Sequence, residues 1–177
     1  AGDSHMWDMN VGDYKPMGYL EAQSTYEDSM TAIYRMYMNN YLGALVALDR
    51  EIGRLLDYLE TSGLAENTLV IYTSDQGFFL GEHGLYDKRF MYEEALRMPL
   101  LMRYPGVISP GTVNDDIVLN LDFAPTFLDF AGISVPGDMQ GRTLKPIMQG
   151  NTPADWRQSM YYHYYDSIGH EIWPHYG

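Results

Sequence analysis

The segment from residue 69 to residue 105 constrains the fold of this chain more than any other. It opens with an apolar run and then breaks abruptly into Ser74-Asp75-Gln76-Gly77. An uninterrupted apolar run bounded by turn residues is typical of a strand buried on both faces of a parallel α/β sheet. Ligands of such sheets bind outside the carboxyl ends of the strands. We therefore predict a strand over residues 68–74, with Asp75 and Gln76 at its carboxyl end facing a ligand.

Titratable side chains follow this turn closely. Glu82, His83, Asp87 and Lys88 all lie within thirteen positions of Asp75. Carboxylate and amide oxygens are ligands of hard cations, whereas imidazole and ammonium groups bind oxyanions. The pattern predicts a site for a hard cation together with an oxyanion. Glu93 and Glu94 come next, and we expect them to cap or solvate the following helix.

Length, charge and cysteine content exclude several classes of protein. The chain has 177 residues, a formal net charge of −13 and no cysteine. Its length suffices for one domain with a sizeable core. The negative charge argues against a nucleic-acid partner, because phosphate contacts require clustered Lys and Arg. Without cysteine there are no disulfides and no thiolate zinc site. We also expect no membrane span and recognise no signal peptide in this chain, while the oligomeric state stays open.

Helical and strand patterns alternate along the chain, which predicts a layered α/β sheet with flanking helices. Residues 1–23 show no steady period, so we expect a loop or connecting segment there, followed by a second region over residues 24–177. Ser24 and Glu27 match a capping box that opens a helix. Apolar residues at steps of three and four extend this helix to Gly63, and we expect a break near Asn39-Asn40 or Gly43.

The remaining elements are shorter. We predict a helix near residues 90–96, a strand over residues 99–104 and a helical turn near residues 144–148. Asp122 is expected to cap a further helix that ends before Gly132.

Four blocks of the chain resemble the sulfatase family of the alkaline-phosphatase-like superfamily. They are DREIGRLLDYLETSGLAENTLVIYTSDQG, LGEHGLYDKRFMYEEALRMPLLMRYPGVI, NLDFAPTFLDFAGI and MQGRTLKPIMQG. The end of the chain, SMYYHYYD to HEIWPHYG, is similar to bacterial exo-sulfatases that act on sulfated sugars of host glycans. The resemblance implies a partial alkaline-phosphatase-like layered sheet and a sulfuric ester hydrolase.

The resemblance also implies roles for individual residues. Asp75 would bind a divalent cation, usually Ca²⁺ rather than Mg²⁺, and Gln76 would supply an amide oxygen. Lys88 would contact the sulfate near the leaving oxygen, and His83 would lie beside the substrate pocket as a second catalytic or binding residue. His163, His170 and His175 would line a sugar pocket, or else they belong to a Tyr- and His-rich packing surface.

Other family features are absent from this sequence. Sulfatases use a formylglycine made from the Cys or Ser of a C/S-x-P-S-R motif, and the nearest match, Ser134-Val135-Pro136-Gly137, lacks the Ser and Arg. The paired aspartates that complete the cation site in the family are missing too. We therefore expect the C-terminal part of a catalytic domain that does not turn over substrate as given, from a periplasmic or secreted parent. A phosphodiesterase or phosphonate hydrolase of the same superfamily, and a catalytically dead sugar-binding module, are the alternatives.

Overall fold

The computed structural model describes residues 25–88 and 90–163. These residues fall into two compact units. Unit one contains residues 25–63, 76–98 and His163, and unit two contains residues 64–75 and 99–162. The expected connecting segment, Ser24, His170 and His175 lie outside the described residues.

Unit one begins with a helix, α1, that spans Tyr26–Thr61 and is 36 residues long. Its N-cap is Thr25, whose Oγ1 accepts a hydrogen bond from the backbone N–H of Asp28 at 3.1 Å. The Thr25 hydroxyl also donates to the Asp28 carboxylate at 2.8 Å. The capping box predicted at Ser24 and Glu27 is therefore wrong by one position, because two hydroxyls stand side by side and the extended backbone at Thr25 selects the second.

The predicted break in α1 does not occur, since the helix runs through Asn39, Asn40 and Gly43. One glycine in a helix interior costs about 1 kcal/mol, which is less than the loss of the hydrogen bonds around a break. At its C-terminal end Ser62 is the C-cap and Gly63 follows at φ +69°, a left-handed conformation that favours glycine. The predicted end of the helix is confirmed.

The apolar face of α1 is covered over only part of its length. Met30, Ala32 and Ile33 are buried. Further along, the periodic positions Leu45 and Leu55 are exposed, the latter to 55%. Among the described side chains of α1, the buried ones therefore lie in its first turns, while Ile52, Leu56 and Leu59 farther along are half-buried.

A short hairpin and a short helix complete the described part of unit one. Strand β1, Val70–Thr73, belongs to unit two. The hairpin strands are β2, Phe79–Leu80, and β3, Tyr86–Asp87, which pair antiparallel. Helix α2, Glu93–Leu96, follows as predicted. The hairpin and α2 share a core of buried Phe79, Leu85 and Ala95, against which Phe90 packs.

Unit two contains the strand that precedes the predicted site. Strand β1, Val70–Thr73, pairs antiparallel with β4, Leu100–Arg103, so that Val70 lies opposite Arg103. All four residues of β1 are half-buried. The prediction of a parallel strand buried on both faces is therefore wrong for the described residues. An apolar run indicates that a strand is buried, but it does not indicate whether the partner strand is parallel. That direction depends on the path of the chain between the two strands.

Two helices close unit two over a common core. Helix α3 spans Phe123–Phe130 and helix α4 spans Lys145–Met148, close to their predicted bounds. Gly132 follows α3 at φ +70°, as predicted. The core residues are Leu144, Ile147, Met148 and Trp156. No helix in the described part of the chain is both long and apolar enough to cross a membrane.

Candidate functional site

Asp75 lies two positions beyond the end of β1, in unit two, and is exposed. The Ser74 hydroxyl lies 3.5 Å from its carboxylate oxygen Oδ1. The backbone carbonyl of Asp75 accepts a hydrogen bond from the side-chain amide of Asn120 at 2.8 Å. Asn120 is 45 residues away in the sequence, so this contact ties the end of the strand to a distant turn.

That turn, which precedes α3, is held by the buried carboxylate of Asp122. Asp122 has no exposed surface and accepts hydrogen bonds from the backbone N–H groups of Leu119, at 2.8 Å, and Arg142, at 2.9 Å. The Arg157 guanidinium pairs with both carboxylate oxygens. Burial raises the pKa of the Asp122 carboxyl, but these hydrogen bonds outweigh burial and hold the pKa below its ordinary value.

The predicted capping role of Asp122 is confirmed for the short 3-10 turn Asn120–Asp122 that leads into α3, where its carboxylate accepts from the backbone N–H of Leu119, but not for α3 itself. Asp122 occupies the N-cap position of α3, yet its side chain makes no capping hydrogen bond to that helix. Its oxygens accept from Leu119, Arg142 and Arg157, which ties the turn to the segments before and after α4. The pattern of the sequence located this residue but not its partners.

Gln76 and Gly77 are the first residues of the segment of unit one that leads into β2. The backbone N–H of Gly77 donates to the carbonyl of Ala95, in α2, at 2.9 Å. A Cβ atom at Gly77 would lie 2.1 Å from the carbonyl oxygen of Glu94. Only glycine permits the loop backbone to approach the helix backbone this closely, so Gly77 packs directly against α2.

His83 lies in the loop of the β2–β3 hairpin. Its φ of +57° places a non-glycine residue in the left-handed region, which is sparsely populated. The loop is closed by the Glu82 carboxylate, which accepts from the backbone N–H of Leu80 at 2.6 Å. It is also closed by the backbone hydrogen bond from Leu85 to Glu82 at 2.9 Å. These contacts maintain the strained conformation of His83.

The His83 imidazole is held on two sides. It stacks on the Tyr92 ring, with centroids 4.5 Å apart and an interplanar angle of 22°. Its Nε2 lies 3.3 Å from Oε1 of Glu94, and the His83 and Glu94 side chains are 47% and 29% exposed. Buried Phe79 meets both rings edge-on. The ring therefore has a defined orientation while almost half of its surface remains open.

Lys88 follows β3 directly and is exposed. Asp87, the residue before it, has a φ of +78°, a second non-glycine residue in the left-handed region. Among the described residues Lys88 makes no ion pair, so its ammonium group is open to solvent or to a ligand.

The predicted metal ligands fit Ca²⁺ in kind but not in number. Asp75 offers a carboxylate and Gln76 an amide oxygen, which are donor types that Ca²⁺ takes. Ca²⁺ requires about six to eight oxygens. In the part of the chain that the structure describes, no group of three or more His, Cys, Asp or Glu side chains is placed to hold a metal ion. Two oxygen donors are fewer than Ca²⁺ takes.

Three residues that sequence reasoning missed support the candidate site. Asn120 holds the Asp75 carbonyl, Glu94 faces His83, and Tyr92 stacks on it. Glu94 was expected to cap or solvate α2, which is incorrect because its carboxylate faces an imidazole. A carboxylate eleven positions after a loop histidine gave a weak signal for this pair, whereas no sequence signal indicated the contact of Asn120.

Residues 81–177 match the family described as N-sulphoglucosamine sulphohydrolase, C-terminal. The match covers more than half of the chain and includes the hairpin loop with His83 and the whole of α2. The chain belongs to this sulfatase family. The resemblance read from the four sequence blocks is thereby confirmed.

Relatives and solved structures agree with this assignment. An N-acetylglucosamine-6-O-sulfatase of Bacteroides thetaiotaomicron is 58% identical over 147 residues, which is 81% of this chain and 26% of that protein. A solved protein in complex with its substrate D-glucosamine-2-N,6-O-disulfate is 50% identical with a TM-score of 0.78, covering 92% of this chain and 32% of that one. A phosphonate monoester hydrolase from Silicibacter pomeroyi is 30% identical with a TM-score of 0.69, covering 90% and 31%.

These matches define the fold and the extent of the chain. The mixed helices and short sheets correspond to part of the alkaline-phosphatase-like fold, as predicted. The chain spans about a quarter to a third of the length of the proteins it matches.

Proposed function

We propose that this chain is the C-terminal part of the catalytic domain of a sulfatase that hydrolyses a sulfate ester on an amino sugar. The observation that carries the proposal is the 50% identity, over 92% of the chain, to a solved protein in complex with D-glucosamine-2-N,6-O-disulfate. The 58% identical relative named as an N-acetylglucosamine-6-O-sulfatase supports the same class of substrate. The partner is then a sulfated carbohydrate, and the compartment of the parent protein is periplasmic or extracellular.

Asp75 and Gln76 are proposed to supply oxygen ligands to Ca²⁺ in the complete domain. The bound cation would offset the negative charge of the sulfate oxygens. The exposed carboxylate of Asp75 and the fixed position of its carbonyl on Asn120 support this role. The remaining ligands and the formylglycine nucleophile would come from sequence outside this chain. Alone, the chain should therefore bind calcium weakly or not at all, and a submicromolar site measured by calorimetry would contradict this.

Lys88 and His83 are proposed to act on the substrate side. The Lys88 ammonium would form a charge-assisted contact with a sulfate oxygen, and such contacts strengthen as charge develops in the transition state. The half-exposed and oriented imidazole of His83 would hydrogen-bond the ester beside it. His170 and His175 are kept as proposed sugar contacts on the basis of the sequence alone.

An exchange experiment tests the proposal. The matched segment of the Bacteroides thetaiotaomicron relative is replaced by this chain, and release of sulfate from N-acetylglucosamine 6-sulfate is measured with added calcium. We expect activity within about 200-fold of the unmodified relative, because a pocket difference of a few contacts is worth about 1–3 kcal/mol, or roughly 10- to 200-fold. The same chimera with Asp75→Ala is the matched negative control, expected to lose calcium and activity together.

Three outcomes would overturn the proposal. A chimera that has the thermal stability of the unmodified relative yet releases no sulfate would reject the catalytic assignment. Hydrolysis of a phosphonate monoester in preference to the sulfate ester would favour the phosphonate hydrolase alternative, which the 30% identical neighbour keeps open. Saturable binding of the sulfated sugar by an inactive chimera without calcium would favour a sugar-binding module.

A further inference from the structure

We propose that Glu94 and Tyr92 are positioning residues for His83, so that Nδ1 is the imidazole nitrogen presented to the substrate. The proposal deepens the proposed function, since it rests on His83 facing the substrate. It assigns a role to a carboxylate and a ring on and beside α2.

The Glu94 carboxylate lies beside one nitrogen of the His83 ring. Oε1 of Glu94 lies 3.3 Å from Nε2 of His83, and the Glu94 side chain is only 29% exposed. A carboxylate accepts but does not donate, so it favours a proton on the nitrogen that it faces. The carboxylate therefore occupies the Nε2 side of the ring. Nδ1 is therefore left for a ligand.

The stacking on Tyr92 fixes the plane of the ring. A centroid distance of 4.5 Å at 22° covers one face of the imidazole, and buried Phe79 supports the Tyr92 ring edge-on at 5.9 Å. Offset aromatic pairs of this kind contribute about 0.5–1.5 kcal/mol beyond the area that they bury. With one face and one edge occupied, the ring has few alternative rotamers.

The backbone beneath this cluster is rigid on both sides. His83 has its φ of +57° within a loop that is closed by hydrogen bonds of Glu82. Glu94 belongs to α2, against which the backbone of Gly77 packs with no room for a Cβ atom. A strained residue that is held by a carboxylate on an immobilised helix is an arrangement expected where orientation matters more than local stability.

A double-mutant cycle in the active chimera tests the assignment. We expect Glu94→Ala to lower kcat/KM on the order of tenfold, a fraction of the roughly 10²–10⁴-fold that an oriented proton-transfer or hydrogen-bonding group contributes. In a His83→Ala background Glu94→Ala should change kcat/KM less than about twofold, because its effect passes through the ring. Glu93→Ala, one position away on the same helix turn, is the matched control and should leave activity unchanged. Equal losses from Glu94→Ala in both backgrounds would overturn the proposal.

A second measurement does not depend on activity. In the proton NMR spectrum of the 177-residue chain, the His83 ring protons should be shifted upfield by the Tyr92 ring current. The shift should persist in Glu93→Ala and decrease in Glu94→Ala. Unshifted ring protons in the unmodified chain, or no response to Glu94→Ala, would refute the positioning role. An inactive chimera with the shift intact would reject the proposed function and leave the orientation of His83 established.

Discussion

Replacement of Asp122 by Asn tests how strongly the buried ion pair stabilises unit two. The substitution keeps the shape of the side chain but removes its charge. The Arg157 guanidinium, whose side chain is 15% exposed, is left without a countercharge. One carboxylate oxygen that accepts a backbone N–H also becomes an amide donor, so the N–H of Leu119 or of Arg142 loses its acceptor.

The size of the effect follows from this list of lost partners. Breaking a buried pair by removing one charge costs about 3–5 kcal/mol, chiefly because the remaining charge stays buried and unpaired. With a urea m-value of about 2 kcal/mol/M for a chain of this length, the midpoint should fall by roughly 1.5–2.5 M. If the chain is less stable than this loss, the variant should be unfolded without urea.

Urea titration followed by tryptophan fluorescence measures this, because Trp156 lies in the affected core and under the Arg157 guanidinium. Asp155→Asn is the matched control, since Asp155 pairs with Arg142 at the surface and its loss should scarcely move the midpoint. A midpoint for Asp122→Asn within about 0.3 M of the unmodified chain would refute the reasoning.

The Asp122 carboxylate should also make the stability of the fold depend on pH. The pKa of Asp122 is lower in the folded state than its ordinary value, so ionised Asp122 stabilises the fold above about pH 4. This contribution is lost as the pH falls through the lowered folded-state pKa. The unmodified chain should lose urea stability below about pH 4 more steeply than Asp122→Asn, and parallel losses would contradict the assignment.

Three further predictions concern the site. Gly77→Ala should destabilise unit one by about 1–3 kcal/mol or more, because its Cβ would overlap the Glu94 carbonyl. Gly43→Ala, on an open helix surface, should not destabilise it, and the urea midpoints of the two variants test the difference. Lys88→Ala in the chimera should lower kcat by about 10²-fold with calcium content unchanged. A near-normal kcat would show that the sulfate does not bind beside Lys88. Asn120→Ala should weaken calcium binding by the chimera about two- to tenfold, the worth of one hydrogen bond, and unaltered affinity by calorimetry would show that the Asp75 carbonyl needs no support.

Features with local causes could be predicted from the sequence. Gly63 and Gly132 end helices because they accept a left-handed backbone. The end of α2 and the position of α4 likewise follow from short-range patterns, whereas α2 begins three residues later than predicted.

Features that depend on distant partners could not be predicted. The antiparallel partner of β1 is decided by the return of the chain at Leu100–Arg103. The carboxylate of Asp122 could have capped α3, but a buried guanidinium 35 residues away outcompetes that helix. The amide of Asn120 reaches a carbonyl across 45 residues, which no local pattern encodes. Candidate site residues were thus found by residue type, while the groups that orient them required the structure.

Helix α1 gives the chain an uneven resistance to local opening. At 1.5 Å per residue its 36 residues extend about 54 Å, yet its buried side chains are confined to the turns around Ile33. Helical propensity alone stabilises such a segment only marginally in water. Backbone amides near Ile33 should exchange slowly with solvent deuterium, and those approaching Thr61 should exchange progressively faster. In this chain, one continuous helix should therefore be anchored at one end and fray from the other.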